Sequence, residues 1–329
     1  MDQRKLEEKV EEILGREGFK IKNGEASKPG VTLELGIYSS KKYSEEDIDH
    51  SKDKIFVDQG LSKVDDAYTI EEEKDYDLPS FELIGDIAII NDLYGRDREE
   101  SVEGILAHHD VKTILLKTEG LSGEFRVGEY ETLYGEETET VHREHGYRFK
   151  VDPTEAYYSE RFSTERERIA SQVEEGEKVL VMFSGVGPFA VMCAENAEKV
   201  VAIEKNPAAC KFFKENIKLN SFEDKIEACC GDVREIVPDL EERFDRVIMP
   251  LPGSATEFFD VALEALKKSG IIHLYSFVEE ENFRPVEEKI ETVMNRQGLK
   301  FEVVDRVRCG YKSPSEDRYC FGLRVLSEE

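Results

Sequence analysis

Residues 179–206 read VLVMFSGVGPFAVMCAENAEKVVAIEKN, a stretch that predicts a strand, a glycine loop, a helix and a second strand. The first apolar run ends in the loop Gly185-Val186-Gly187, and the second ends at Glu204, nineteen residues after Gly185. Glycines let the backbone approach a ligand closely at the N-terminus of the following helix. An acid at the tip of the second strand can accept hydrogen bonds from ribose hydroxyls. The stretch therefore indicates a nucleoside-bearing ligand.

The glycine loop is followed by Pro188-Phe189, where a dinucleotide fingerprint would carry a third glycine. Without it, the loop fits S-adenosylmethionine better than NAD, because S-adenosylmethionine has no pyrophosphate to hold. The two glycines alone are also compatible with an ordinary tight turn between a strand and a helix. The spacing to Glu204 favours the nucleoside-binding interpretation.

The composition is that of a globular protein with room for two or three domains. No apolar run reaches the length of a membrane span, and the N-terminal sequence is charged, so we expect a cytoplasmic protein without membrane association. The six cysteines form no C-x-x-C pair, which predicts free thiols and no metal site. The net charge of −28 argues against a generic nucleic-acid binder but is compatible with a local basic patch on the surface.

Three domains are predicted from changes in pattern along the chain. Residues 1–75, with an amphipathic helix over 1–18, form a small N-terminal module and an acidic linker. Residues 76–155 form an α+β middle domain, and residues 156–329 form the third domain. In the middle domain, a helix is expected over 97–109, and two long alternating strands are expected, the second over 138–151.

The third domain alternates helix and strand, which predicts an α/β fold with a mostly parallel sheet covered on both faces. A helix is expected over 254–267. The last two strands, near 300–308 and 318–326, are joined by a loop too short for a helical crossover, so they should be antiparallel. A parallel sheet closed by an antiparallel hairpin is the Rossmann-like class I methyltransferase variant of the doubly wound fold. Its ligand should lie at the carboxyl ends of the early strands.

Candidate cofactor-binding residues follow four of the predicted strands: Phe183, Gly185 and Gly187; Glu204 and Lys205; Asp232 and Val233; Pro250 and Pro252. The Asp232 carboxylate can accept a hydrogen bond from the exocyclic amine of an adenine, or it can cap the next helix. The two prolines make a rigid loop with few backbone donors, which either faces the methylated atom or simply starts the next helix.

These residues resemble the archaeal and eukaryotic tRNA (guanine-N1)-methyltransferases that act on position 37, next to the anticodon. The resemblance covers about residues 80–329 and covers 1–75 poorly. It is carried by motifs that occur in the family's order: SFELIGDIAII, TVHREHGYRFKVD, VDPTEAYYSERFSTERERIA, VMFSGVGPFAV, AIEKNP, KENIKLN, GDVRE and DRVIM.

The resemblance implies S-adenosylmethionine as cofactor and tRNA as partner, bound at the anticodon stem-loop and at the elbow by a monomer. Guanine N1 becomes a good nucleophile only as its proton leaves, so the reaction needs a base near N1 and a cation at O6. The matching positions are Glu165 for the base and Arg126 for the cation. Tyr157 should lie near the target base and Arg161 near the phosphates. Without the resemblance, Glu165 is an acid in the first turn of a helix, where the helix dipole favours it.

Two departures from the family pattern keep other functions open. Val181 stands where the family has an Asp, and Pro250 stands where it has an Asn. The main alternative is a wyosine-pathway relative that methylates a tricyclic base or transfers the aminocarboxypropyl group. A third is an RNA-binding scaffold with a degenerate cofactor pocket.

Overall fold

The computed structural model describes the backbone of residues 20–22, 25–28, 31–36 and 54–56, and residues 76–326 except 124, 126 and 314. The chain divides into two compact units, Met1–Tyr76 and Asp77–Glu329. In the first unit, strands β1 to β4 form one sheet in chain order: Lys20–Lys22, Glu25–Lys28, Val31–Gly36 and Lys54–Phe56. The amphipathic helix predicted over 1–18 lies outside the described residues.

The second unit begins with a four-stranded sheet in the order β5-β6-β7-β8 and one helix. Its elements are β5 Phe81–Ile84, β6 Ile87–Ile90, α1 Arg98–His108, β7 Thr113–Ser122 and β8 Val127–Tyr134. Strands β6 and β7 are parallel, with α1 as their crossover, and the remaining pairs are antiparallel. Asp97 caps α1 by accepting a hydrogen bond from the Glu100 N–H. The helix predicted over 97–109 is therefore confirmed to within one residue at each end.

The single long strand predicted over 138–151 is wrong. The segment folds into an antiparallel hairpin of β9, Thr140–Glu144, and β10, Tyr147–Val151. The chain reverses at His145 and Gly146, which both have positive φ, 47° and 87°. Gly146 adopts this conformation without steric cost, and alternation of side chains alone does not report such a turn.

The rest of the unit is a seven-stranded sheet in the order β13-β12-β11-β14-β15-β17-β16. Its strands are β11 Lys178–Met182, β12 Lys199–Glu204, β13 Ile226–Cys230, β14 Phe244–Met249, β15 Leu266–Glu279, β16 Lys300–Ser313 and β17 Glu316–Leu326. The helices are α2 Ser163–Ala170, α3 Pro188–Cys193, α4 Pro207–Leu219, α5 Val233–Ile236, α6 Phe259–Ala265 and α7 Arg284–Gln297. Strands β11 to β15 are parallel and β17 is antiparallel to both neighbours, as predicted.

The central strands are buried on both faces, because helices cover each side of the sheet. One apolar cluster contains Val179 and Val181 on one face of β11, and a second contains Leu180 and Met182 on the other face. The helix predicted over 254–267 is shorter than expected. It consists of a 3₁₀ turn, Ala255–Phe258, followed by α6, because the backbone at Leu266 already pairs with Phe244 in the sheet.

A buried asparagine joins the β9–β10 hairpin to the large sheet. The Asn216 side chain on α4 accepts a hydrogen bond from the Lys150 N–H (2.6 Å) and donates to the Lys150 carbonyl (3.0 Å). It also donates to the carbonyl of Val186 in the glycine loop (2.9 Å). One side chain therefore ties the hairpin, α4 and the glycine loop together, which gives the KENIKLN motif a structural reason. Across the described residues, no helix combines the length and apolar character needed to cross a membrane.

Candidate active site

A cavity of about 430 Å³ lies at the carboxyl ends of β11, β12, β13 and β14, where the strand order predicts a ligand site. Most of the predicted cofactor residues line it, namely Phe183, Gly185, Glu204, Lys205, Asp232, Val233, Pro250 and Pro252. The four loops meet there because parallel strands present their carboxyl ends at one edge of the sheet.

Glu204 organises the glycine loop from the tip of β12. One carboxylate oxygen accepts a hydrogen bond from the Gly185 N–H and the other from the Asn206 N–H, both at 2.7 Å. Burial raises the pKa of the Glu204 carboxyl, and the backbone donors work in the opposite direction. A carboxylate has about four lone-pair sites, so it can still accept from ribose hydroxyls. The loop and the ribose site are therefore built around the same side chain.

Gly187, also predicted to bind the cofactor, does not itself line the cavity, although Val186 and Pro188 on either side of it do. It lies at the N-cap of α3 with φ +90°, and a Cβ there would lie 2.0 Å from the Phe213 ring. The glycine is required for close packing of the loop against α4, while Gly185 is the one that borders the ligand space.

Asp232 combines the two interpretations that the sequence left open. It lines the cavity and it caps α5, accepting a hydrogen bond from the Arg234 N–H at 2.9 Å. Its carboxylate also pairs with the side chains of Arg234 (2.6 Å) and Lys205 (3.0 Å). The hydrogen bond from the Arg234 side chain is the main reason that the pKa of Asp232 is lowered. Asp232 is thus an ionised acceptor at the cavity wall.

Ser184 is a lining residue that the sequence analysis missed, although it lies inside the quoted loop. Its side chain is only 4% exposed, and within the described part of the chain its hydroxyl has no hydrogen-bond partner. A buried hydroxyl without a partner is costly unless a ligand or water satisfies it. Its position on the cavity wall therefore fits a polar cofactor group.

Apolar groups form the remainder of the wall. The Phe183 and Phe258 rings meet edge to face at 5.0 Å, and Leu251 lies between the two prolines of the loop after β14. Arg318 reaches the cavity from β17, with its guanidinium 3.8 Å from the Phe162 ring centroid. No sequence signal could have identified Arg318, because only the antiparallel insertion of β17 brings it to the site.

The predicted substrate residues lie at the mouth of the cavity and beyond it. Tyr157 lines both the cavity and an adjoining groove, and its side chain is partly exposed. Arg161 lines the groove but not the cavity, and it pairs with Glu82 of β5 at 2.7 Å. The structure therefore brings Tyr157 next to the cofactor site and places Arg161 farther out.

The structure does not bring Glu165 to the cavity. Its side chain is buried, with Arg168 Nε and Nη2 each donating to the carboxylate at 2.7 Å and the Tyr275 hydroxyl donating at 2.6 Å. Glu165 does lie in the first turn of α2, as the helix-dipole interpretation expects, and Arg168 pairs with it there. Arg126 lies outside the described residues, but Gly123 and Phe125 line the cavity. Val181 is buried in the apolar core and does not reach the cavity.

Residues 140–304 match the TRM5/TYW2 methyltransferase domain, and residues 67–138 match the TYW2 N-terminal domain. The chain is 40% identical over 251 residues to the tRNA (guanine(37)-N(1))-methyltransferase Trm5b of Pyrococcus abyssi, covering 75% of this chain and 74% of that protein.

The chain belongs to the TRM5/TYW2 methyltransferase family. This TRM5/TYW2 methyltransferase is also 36% identical over 224 residues to the tRNA(Phe) (4-demethylwyosine(37)-C(7)) aminocarboxypropyltransferase of Methanocaldococcus jannaschii, covering 67% of this chain and 87% of that protein. A solved structure of aTrm5 in complex with tRNALeu superposes with a TM-score of 0.67 and 34% identity, covering 75% of this chain and 72% of that one.

The family membership identifies the fold as class I and the cofactor as S-adenosylmethionine. This TRM5/TYW2 methyltransferase is therefore an enzyme, and the cavity is the candidate site for its cofactor. Glu204, Asp232 and the unpartnered Ser184 hydroxyl line that cavity and are polar groups that could hold the cofactor. Among the residues that the structure describes, no group of three or more His, Cys, Asp or Glu side chains is placed to bind a metal ion.

We expect Glu204→Gln to weaken S-adenosylmethionine binding about tenfold or more, the effect of losing one charge-assisted hydrogen bond of about 1.5 kcal/mol. The amide nitrogen of glutamine cannot accept from a backbone N–H, so either Gly185 or Asn206 loses its partner. Equilibrium binding by calorimetry measures the effect. Glu198→Gln is a matched control, because Glu198 is exposed and immediately precedes the same strand at its opposite end. Equal affinity of the two variants would remove Glu204 from the site.

Proposed function

We propose that this enzyme methylates N1 of guanosine 37 in tRNA, beside the anticodon. The observation that carries the proposal is the 40% identity over three quarters of the chain to a protein of that activity. A cofactor cavity that opens at Tyr157 into a groove supports it, because a nucleotide entering from the groove would meet the cofactor site at that point. We also propose that the enzyme acts as a monomer and that residues 1–75 contact the tRNA elbow.

When bound, S-adenosylmethionine supplies a methyl group on a positively charged sulfur. The protein must then hold guanine with N1 directed at the cofactor, accept the N1 proton and stabilise the negative charge that develops at O6. We assign orientation of the base to Tyr157, proton acceptance to Glu165 and charge stabilisation to Arg126. Because the Glu165 carboxylate is buried against Arg168 and Tyr275 and does not line the cavity, proton acceptance requires that it leave these donors and turn toward the base when tRNA binds.

Arg126→Ala is expected to slow methyl transfer about tenfold or more, since one hydrogen bond to a developing charge contributes about 1.5 kcal/mol or more. Support for the assignment comes from its neighbour Phe125, which lines the cavity. Single-turnover kinetics at saturating tRNA measures the effect. Arg98→Ala is the control, because Arg98 is exposed on α1 and pairs with Glu131 away from the cavity. An unchanged rate for Arg126→Ala would show that the cation at O6 is another residue.

A wyosine-pathway activity is the second candidate. It is favoured by Pro250, which lines the cavity and has neither a side-chain acceptor nor a donor for the base, and by the 36% identity to an aminocarboxypropyltransferase. The apolar wall formed here by Pro250, Leu251 and Pro252 is compatible with the larger ring surface of a tricyclic base.

Nucleoside mass spectrometry separates the two candidates. A tRNA transcript with guanosine at position 37 is incubated with enzyme and S-adenosylmethionine at low and high salt. The proposal expects 1-methylguanosine. No product from this transcript, together with modification of a tRNA that already carries 4-demethylwyosine, would assign the enzyme to the wyosine pathway. Failure to bind S-adenosylmethionine, together with neither product, would instead indicate an RNA-binding scaffold with a degenerate cofactor pocket.

A further inference from the structure

A groove of about 860 Å³ adjoins the cofactor cavity and differs from the rest of this acidic protein in charge. Four of its lining residues are basic, Lys117, Arg161, Lys312 and Arg318, and one, Glu82, is acidic. The whole chain carries 73 acids and 45 bases. The groove and the cavity share Tyr157, Tyr158, Ser159 and Arg318, so one opens into the other. A polyanion would find here a local basic site on a protein that otherwise repels it.

Tyr311 is the most exposed aromatic side chain of the groove. It lies near the tip of the β16–β17 hairpin and is 61% exposed. The Arg161 guanidinium lies 5.9 Å from the Tyr311 ring centroid, and Lys312 Nζ lies 4.8 Å from the Phe277 ring centroid. Aromatic faces flanked by cations are the combination that binds single-stranded nucleic acid, where bases stack and phosphates pair with the cations.

We propose that Tyr311 is a stacking platform for a nucleotide that flanks the target nucleotide, and that Arg161 and Lys312 contact the adjoining phosphates. The inference rests on the proposed function and names how the same site holds its RNA. A base that enters the cavity leaves its stack, so the flanking bases lose a partner on one face. An exposed ring at the outer end of a groove that leads to the cavity replaces that partner.

Two acids pair with the cations beside Tyr311. Glu82 on β5 pairs with Arg161 at 2.7 Å, and Glu316 on β17 pairs with Lys312 at 2.6 Å. Both acids lie beside cations that line the groove, so they orient the cations in the protein without RNA. The two cations are about half exposed, and ion pairs that reach solvent in this way contribute little energy, so phosphates can replace the acids as partners.

Tyr311→Ala, Tyr311→Phe and Tyr94→Ala test the proposal with a fluorescent anticodon stem-loop that carries the target guanosine. Tyr94 is the matched control, because it is 72% exposed and lies outside the groove lining. Tyr311→Ala should raise the RNA dissociation constant about 5- to 150-fold, the effect of losing one base–aromatic stack. Tyr311→Phe keeps the ring and should bind like the wild type, as should Tyr94→Ala. Affinity for S-adenosylmethionine should be the same in all four proteins.

A stem-loop with an abasic nucleotide on either side of the target completes a double-mutant cycle. If Tyr311 stacks on one of these bases, Tyr311→Ala adds no further loss to the RNA that lacks it. Full additivity with both abasic RNAs, or unchanged binding by Tyr311→Ala, overturns the proposal. Failure of the proposed function is a different result. If the wild-type enzyme forms no 1-methylguanosine but its RNA binding still depends on Tyr311, the stacking proposal stands and the proposed reaction is wrong.

Discussion

Glu165→Gln is expected to slow single-turnover methyl transfer about 10²- to 10⁴-fold, the contribution of a general base. Affinity for S-adenosylmethionine should be unchanged, because Glu165 does not line the cofactor cavity. Glutamine preserves the shape of the side chain but cannot accept a proton at neutral pH. The amide nitrogen also faces the Arg168 guanidinium, which loses one of its two contacts. Rapid quench with radiolabelled cofactor and saturating tRNA measures the rate.

Arg168→Met separates a catalytic role of Glu165 from a positioning role. A base that must leave its arginine to accept the proton keeps its function when the arginine is absent, so the rate of Arg168→Met should exceed that of Glu165→Gln. If Glu165 acts only by holding Arg168 and Tyr275, both variants should slow transfer to the same extent and lower stability together. A near-wild-type rate for Glu165→Gln would exclude it as the base.

Arg166→Met is expected to lower the free energy of unfolding by about 3–5 kcal/mol, because it leaves a buried carboxylate without its cation. Arg166 and Glu144 are almost completely buried, and Arg166 Nε donates to Glu144 at 2.7 Å. The Tyr158 hydroxyl donates to the same carboxylate at 2.7 Å, and Arg166 Nη2 also donates to the Ser159 carbonyl at 3.0 Å. The pair thus joins the β9–β10 hairpin to α2 and to the segment that borders the cavity. Urea unfolding measures the loss.

Two further variants check this interpretation. Arg284→Met removes an exposed arginine that pairs with Glu288 one turn along α7, and it should change stability by less than about 0.5 kcal/mol. The double variant Arg166→Met with Glu144→Gln should recover part of the loss, because no buried charge remains. A loss for Arg166→Met no larger than that for Arg284→Met would show that water reaches the Glu144 carboxylate.

Structural features that are set by residues close together in the sequence were predictable. The alternation of apolar runs and helical segments indicated a mostly parallel sheet, and the short loop before β17 indicated its antiparallel end. Gly185 and Glu204 also meet as expected, because each follows a strand whose carboxyl end lies at the same edge. The hairpin within 138–151 was missed, since its turn interrupts an otherwise regular alternation of side chains.

The sequence by itself determined the fold class, the place of the candidate cofactor cavity and most of its lining, because strand periodicity and turn residues act locally. Only the tertiary structure decided which polar groups have partners. Glu165 meets Tyr275, 110 residues away, and becomes part of a buried network instead of facing the cavity. Arg318 and Tyr311 reach the site from the last hairpin, and Ser184 is left without a partner beside the ligand space. Such contacts depend on where distant strands pair, and no local pattern records that pairing.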